Sequence, residues 1–189
     1  MSPRRRAQGI SLIEVVILIV VVGIGFSALF ALQANTARMS VDPVVRKQAL
    51  AIATSLMEEI QLRGFTYCDP DDANVYTAAS TADCTTIEAL GLEAGESHAT
   101  RSTLDHVSDY AGFPGMSGAG IVDIRGNAIS ATDLAGYSVA ISVVNITAAE
   151  LSQVTDTTAG LKITVTVTGP AGVSIALEGY RLRYAPNSP

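Results

Sequence analysis

Basic residues and cysteines are scarce in this chain of 189 residues. Its 12 lysines and arginines stand against 18 aspartates and glutamates, which leaves a net charge of −6 at pH 7. Nucleic-acid binding needs a basic face that contacts phosphate, so this balance argues against a nucleic-acid partner. Two cysteines are too few for a disulfide-dense miniprotein, and one pair of thiolates cannot complete a zinc site.

Charged residues are also few, at 16%, whereas hydrophobic residues make up 48% of the chain. A disordered chain has the opposite balance, so the sequence predicts a folded protein whose length suits one domain. The average hides an asymmetry, because much of the hydrophobic excess lies near the N-terminus.

Motifs of catalysis and cofactor binding are missing. The glycine-rich stretch 112–126 has no Gly-Lys-Ser/Thr, and Ser117 lacks the Gly-x-Ser-x-Gly context of a hydrolase. Residues 23–28 match Gly-x-Gly-x-x-Gly/Ala, but the match lies inside an apolar run instead of after a strand of ordinary length. We therefore expect no enzyme activity, no cofactor and no metal.

The most informative stretch is an apolar run that follows the basic cluster at residues 4–6. Between Ile10 and Leu32 the only charged residue is Glu14. A helix of this length is about 35 Å long, enough to cross a hydrocarbon core of about 30 Å. The arginines predict a cytoplasmic N-terminus, with the chain beyond residue 33 across a bacterial inner membrane. A secretory signal peptide and a plain single-pass anchor are the alternatives.

Glu14 is unusual, because a carboxylate within an apolar membrane helix costs about 2.5–3.5 kcal/mol and is commonly functional. Residues 9–14 are Gly-Ile-Ser-Leu-Ile-Glu and follow a short basic leader. This motif resembles the processing site of type IV prepilins. The resemblance implies that prepilin peptidase cuts after Gly9 and methylates the new amine of Ile10, and that Glu14 helps a subunit dock on a filament. Ile10 departs mildly from the Phe or Met usual in that family.

The chemistry of Glu14 fits this resemblance. Cleavage would expose an amine one helical turn away, and a carboxylate and an amine on two subunits could satisfy each other. The same cleavage would leave 9 basic residues against 18 acidic ones, a net charge of −9. The alternative is that Glu14 lies near the membrane interface and needs no partner.

A second helical pattern follows the apolar run. Asp42-Pro43 predicts a kink or a restart with Asp42 as the N-cap, and Gly64 is the predicted end. Between them apolar residues recur in steps of three and four: Val45, Ala49, Ile52, Leu56 and Ile60, widened by Ala53 and Met57. Residues 42–60 and 101–113 are similar to segments of minor pilins, most closely MshD- or PilV-like pilins.

Two cysteines, an acidic turn and two histidines are the candidate sites of the remaining chain. Cys68 and Cys84 would lie in an oxidising compartment, so we expect a disulfide in preference to a catalytic thiol. The acids at 69–72 could hold calcium, but the EF-hand pattern fails and a solvated turn is favoured. His98 and His106 lack a third ligand at metal-like spacing and are predicted to be surface residues.

The last fifty residues alternate with period two. Residues 137–143 and 161–167 are predicted strands, and the turn at 169–172 leads into a third strand, which makes a hairpin. The large residues change parity after Gly179, which predicts a β-bulge there. An antiparallel sheet with a helix on one face is an α+β arrangement.

The predicted fold is α+β and pilin-like. A long N-terminal helix, with a membrane-spanning half and an amphipathic half, would pack on a C-terminal antiparallel β-sheet. The expected domains are a leader at 1–9, the pilin helix at 10–64 and a periplasmic or extracellular globular domain at 65–189. Within the helix, residues 10–32 would be transmembrane and a kink would lie near 42–43.

The expected function is that of a minor pilin in a type IV pilus. A type II secretion pseudopilin, or a membrane-anchored periplasmic binding domain that does not polymerise, is the alternative. Expected partners are other pilins, prepilin peptidase, the inner-membrane assembly platform and the lipid bilayer. The expected location is the bacterial inner membrane and then the periplasm or the extracellular pilus.

Overall fold

The computed structural model describes residues 11–129 and 134–189. The chain divides into two compact units, Met1–Pro43 and Val44–Pro189. The predicted leader, and with it the cleavage pair Gly9 and Ile10, lies outside the described residues, so the structure does not test those predictions.

Helix α1 runs from Leu12 to Gln61 and includes Pro43. The helix therefore does not restart at Pro43 with Asp42 as its N-cap, and the kink stays a prediction. It ends three residues before Gly64, the predicted stop, and the Leu62 N–H donates to the Glu58 carbonyl at 3.0 Å.

The predicted membrane span is the main correction. Among residues 11–129 and 134–189, no helix has both the length and the apolar character needed to cross a membrane. A span needs about 20 predominantly apolar residues within one helix. The predicted fold class, with its long, half membrane-spanning N-terminal helix, is therefore wrong. The transmembrane assignment of residues 10–32 and the inner-membrane localisation are wrong for the same reason.

An antiparallel sheet forms one layer of the second unit, and its described strands follow the order β1-β2-β3-β4. They are β1 Met116–Ser117, β2 Ser138–Asn145, β3 Gly160–Thr168 and β4 Ser174–Leu182. The predicted alternation on β2 and β3 is confirmed, because every second residue is buried: Val139, Ile141, Val143, Ile163, Val165 and Val167. The predicted hairpin is also confirmed as β3 and β4.

One face of α1 packs with this sheet and forms the core of the second unit. The buried stripe follows the predicted helical spacing: Val45, Ala49, Ala53, Leu56, Met57 and Ile60. Ile52, predicted in the same stripe, is only partly buried. Burying one large aliphatic side chain contributes about 1.5–3 kcal/mol, so this stripe is a principal source of stability.

Gly179 lies in an uninterrupted ladder. Strands β3 and β4 keep one register throughout, with Ile163 opposite Gly179, so the predicted bulge is wrong. A Cβ at Gly179 would lie 2.6 Å from Gln61 Nε2 and 3.0 Å from Met57 Sδ. The glycine therefore allows α1 to approach the strand closely. The parity of large residues changes because Tyr180 lies on the opposite, more exposed face of the sheet.

The segment after α1 forms a smaller cluster that is joined to the last residues of the chain. Val75 and Ala78 pack there with Cys68. The side-chain amide of Asn187 donates to the carbonyls of Val75 and Ala78, each at 2.9 Å. The Tyr67 N–H adds a contact of 3.3 Å with the carbonyl of Pro186, so this cluster is fixed to the segment that follows β4.

Candidate functional site

Glu14 lies in the first turn of α1, where its backbone N–H donates to the Ser11 carbonyl at 3.0 Å. The positive end of the helix dipole favours a carboxylate in this position. No other described residue forms a hydrogen bond or an ion pair with its side chain. Its predicted role in assembly concerns a second subunit, so it stays a prediction.

Cys68 and Cys84 form the predicted disulfide, with their Cα atoms 5.2 Å apart. The alternative of a catalytic thiol is therefore wrong. Cys68 is fully buried in the small cluster with Val75, so the bond fixes a loop that has little apolar core of its own.

The acids at 69–72 form turns in which carboxylates accept backbone N–H groups. Asp69 Oδ1 accepts from the Asp71 N–H at 2.6 Å, and Asp72 Oδ1 accepts from the Asn74 N–H at 2.7 Å. The N–H of Thr86, followed by that of Asn74, holds the pKa of Asp72 below its ordinary value. Within the described residues these acids do not converge as a metal-binding group, in line with the favoured interpretation as a turn.

His106 is fully buried, so its prediction as a surface residue is wrong. It lies beside the strand-like segment that leaves α1, because Gly64 and His106 form a parallel bridge. His98 is half-buried, and its Nε2 lies 2.8 Å from the Asp109 carbonyl oxygen. His106 therefore belongs to the interior of the loop region, whereas His98 lies half-buried at its edge.

The hydrogen bonds of His106 fix its tautomer. Its Nε2 accepts from the Thr66 N–H at 2.8 Å, so that nitrogen carries no proton. In a neutral ring the proton is then on Nδ1, which faces the Ser108 hydroxyl and lies 3.2 Å from Glu88 Oε1. The Ser108 N–H is 3.3 Å from the same Nδ1 and cannot donate to it in this tautomer. The Nδ1–H of His106 therefore donates to the Ser108 hydroxyl, which in turn donates to Glu88 Oε1.

Four acids meet beside His106. The potential ligand atoms of Glu88, His106 and Asp109 lie within 4.8 Å of one another, and so do those of Glu93, Glu96 and Asp109. Asp109 belongs to both groups. We call the four acids Glu88, Glu93, Glu96 and Asp109 the acidic cluster. Its Oδ2 accepts from the His106 N–H at 2.6 Å, and the Glu93 N–H donates to Glu96 Oε2 at 3.0 Å.

Burial and mutual repulsion weaken the acidity of this cluster. Burial raises the pKa of Asp109 to about 8, with a further rise caused by Glu88, although the His106 N–H opposes it. Burial, followed by the charge of Glu88, raises the pKa of Glu93 to about 9. Groups of this kind hold protons at neutral pH unless a cation replaces them.

Sequence reasoning did not find the acidic cluster. Its members span residues 88–109, and their spacing follows neither a helical nor a strand period. The backbone brings them together instead, for example through the Gly91 N–H that donates to the Ser108 carbonyl at 3.1 Å. The only sequence signal is the density of acids in that stretch.

Comparisons of the chain with protein-family models, with curated proteins and with solved structures found no match. The functional interpretation therefore depends on the residues of the chain itself and on the resemblance of residues 9–14 to a processing site.

Proposed function

We propose that this chain is a minor pilin-like structural subunit of a type IV pilus. Prepilin peptidase cuts it after Gly9 and methylates Ile10, and the N-terminal helix then packs among the helices of other subunits. The observation that carries the proposal is the motif at residues 9–14, in which an isolated acid follows the cleavage glycine at the start of a long apolar run.

The exposed apolar surface of α1 supports this proposal. Leu12 is 82% exposed and Phe30 is 68% exposed, and most of the large side chains between them are also more than half exposed. Soluble monomers seldom leave a contiguous apolar patch of this kind uncovered. In the proposed filament the helices of neighbouring subunits cover it, which removes this area from water.

Glu14 then provides the register of assembly. Once α1 is packed among apolar helices, a lone carboxylate is costly unless a positive group lies beside it. The methylated amine of Ile10 on a neighbouring subunit is that group. The pair contributes specificity more than net stability, because two subunits in the wrong register would leave both charges unpaired.

The mass of the N-terminal peptide tests the proposal directly. Protein isolated from its native host should begin at Ile10 and carry one added methyl group. The same gene expressed in a host without a prepilin peptidase should yield protein that keeps residues 1–9, which is the matched control. An intact leader in protein from the native host would overturn the proposal.

A further inference from the structure

Three carboxylate oxygens of the acidic cluster are buried without a hydrogen-bond partner. Five buried side-chain atoms in the described part of the chain share this property, and three of them are Glu88 Oε2, Glu93 Oε1 and Asp109 Oδ1. Asp109 is fully buried, and the side chain of Glu88 is only 2% exposed. Buried acceptors are normally paired, so three orphans in one cluster need a physical explanation.

We propose that Glu88, Glu93 and Asp109, assisted by Glu96, bind a divalent cation, which their ligand chemistry identifies as calcium. The proposal concerns the second unit, Val44–Pro189, and does not depend on the proposed pilin function.

The distances suit an ion held by Asp109 and its neighbours. Calcium binds oxygen at about 2.3–2.6 Å, so two oxygens on the same ion are at most about 5 Å apart. The potential ligand atoms of Glu93, Glu96 and Asp109 lie within 4.8 Å of one another, and those of Glu88 and Asp109 are equally close. Asp109 can therefore share an ion with carboxylates from either group.

The donor set favours a hard cation. His106 is not available as a ligand, because Nε2 already accepts the Thr66 N–H and Nδ1 carries the proton. The remaining donors are carboxylate oxygens, which suit calcium or magnesium better than zinc or copper. Calcium accepts irregular geometry, whereas magnesium requires a near-ideal octahedron. Ligands carried by irregular loops therefore favour calcium.

The guanidinium of the nearby Arg183 has other partners besides the acidic cluster. Arg183 interacts electrostatically with Glu88, yet its guanidinium lies over the Phe65 ring, 4.5 Å from the centroid, and donates to the Thr158 carbonyl at 3.0 Å. An open cavity of about 200 Å³ is lined by Glu88, Arg183 and Ser108, among other residues. This cavity reaches Glu88, one of the four acids of the cluster.

The charge balance favours the same occupant. Glu88, Glu93 and Asp109 bring like charges together, and each of them has a buried oxygen without a hydrogen-bond partner. A divalent cation would offset the repulsion between these carboxylates. It would also tie the segment at 88–96 to the turn at 106–109.

Calorimetric titration of the full chain with calcium chloride, after treatment with EGTA, tests the proposal. We expect saturable binding of one ion, together with a Tm that rises as calcium is added. Glu93→Gln should weaken binding by about tenfold or more, because it removes a ligand charge while retaining size. Glu88→Gln is a second variant with the same expectation. Glu58→Gln, which changes an exposed acid of α1, should bind as the original chain does.

Three results would overturn the proposal. The first is the absence of both heat and a Tm change at millimolar calcium, which would mean that protons alone fill the cluster. The second is unchanged binding by a folded Glu93→Gln variant. The third is tighter binding of zinc than of calcium in parallel titrations, which would contradict an all-oxygen ligand set.

Discussion

The guanidinium of Arg101 donates to both carboxylate oxygens of Glu59, from Nε to Oε1 at 2.8 Å and from Nη2 to Oε2 at 3.2 Å. Arg101 is only 3% exposed, and its Nη2 also donates to the Val122 carbonyl at 3.0 Å. The Tyr110 hydroxyl adds a hydrogen bond of 2.9 Å to Glu59. This buried ion pair therefore joins the last turns of α1 to two loop segments of the second unit.

Arg101→Met should lower the free energy of unfolding by about 3–5 kcal/mol, because it leaves the Glu59 carboxylate buried without its counter-charge. Urea denaturation at pH 7 measures the change. Arg125→Met is the control, since Arg125 lies in an exposed turn and its loss should change stability by no more than about 0.5 kcal/mol. Equal effects of the two substitutions would show that the buried pair has no special role.

Gly115 is required by its backbone conformation and by its neighbour. Its φ is +82°, and a Cβ there would lie 2.8 Å from the Val139 carbonyl oxygen. Gly115→Ala should therefore lower the free energy of unfolding by about 1–3 kcal/mol. Gly120→Ala should be neutral or slightly stabilising, because a Cβ at Gly120 meets open space and its φ is not positive. Thermal unfolding of the two variants in one buffer compares them directly.

The Cys68–Cys84 disulfide stabilises the second unit by lowering the conformational entropy of the unfolded chain. The double variant Cys68→Ser, Cys84→Ser should lose about 3 kcal/mol of unfolding free energy in the loop-entropy model. Dithiothreitol should produce a similar loss in the original chain and no change in the variant. A variant that unfolds at the same urea concentration as the oxidised chain would contradict this expectation.

Asp72 should contribute to acid sensitivity. Its folded pKa lies below the ordinary value of an aspartate, chiefly because its carboxylate accepts the Thr86 N–H. A carboxyl group whose pKa is lower in the folded than in the unfolded chain stabilises the fold at pH values above its unfolded pKa. This stabilisation is lost as the pH falls through the folded pKa. Asp72→Asn should therefore lower the urea midpoint at pH 7 and reduce its fall on acidification below pH 4.

Asp71→Asn provides the comparison for Asp72, because the Asp71 side chain is exposed. It should leave both the midpoint at pH 7 and the acid response close to those of the original chain. If the two variants behave alike, the hydrogen bonds of Asp72 are not the source of the acid response.

Glu14→Ala should be cut after Gly9 like the original chain but enter filaments several-fold less often, since the amine of the neighbouring subunit loses its partner. Quantifying the variant in sheared filaments relative to whole cells measures this. Glu14→Asp retains the charge and should restore part of the incorporation. Normal incorporation of Glu14→Ala would remove the proposed role of this residue.

The sequence was sufficient to predict the elements that have a strong period and one buried face. Apolar residues between Val45 and Ile60 recur with helical spacing, and those between Val139 and Val143 occupy every second position. Both patterns arise because one side of the element faces the core and the other faces water. The Cys68–Cys84 bond was also predictable, since the chain contains only this pair. These features depend on local pattern or on simple counting.

The features that were missed depend on contacts between distant segments. Strand β1 has only two residues and forms because Met116 pairs with Val139. Gly179 has the same sequence context as a bulge, and only the approach of α1 shows why no side chain fits there. His106 and Asp109 are polar and fully buried, and each accepts a backbone N–H through one side-chain atom, His106 Nε2 from Thr66 and Asp109 Oδ2 from His106. The predicted membrane span was wrong because it rested on an apolar run in the sequence. Such a run does not by itself establish that the helix containing it can cross a membrane.

The amide of Asn187 has a consequence for how the second unit opens. Its two bonds to the carbonyls of Val75 and Ala78 connect the cysteine-bridged loop to the residues that follow β4. Local opening of either segment breaks bonds of the other, so amide exchange should report both as one cooperative unit. The Cys68–Cys84 disulfide and the side chain of Asn187, which lies near the C-terminal end of the unit, would thus slow the same local opening.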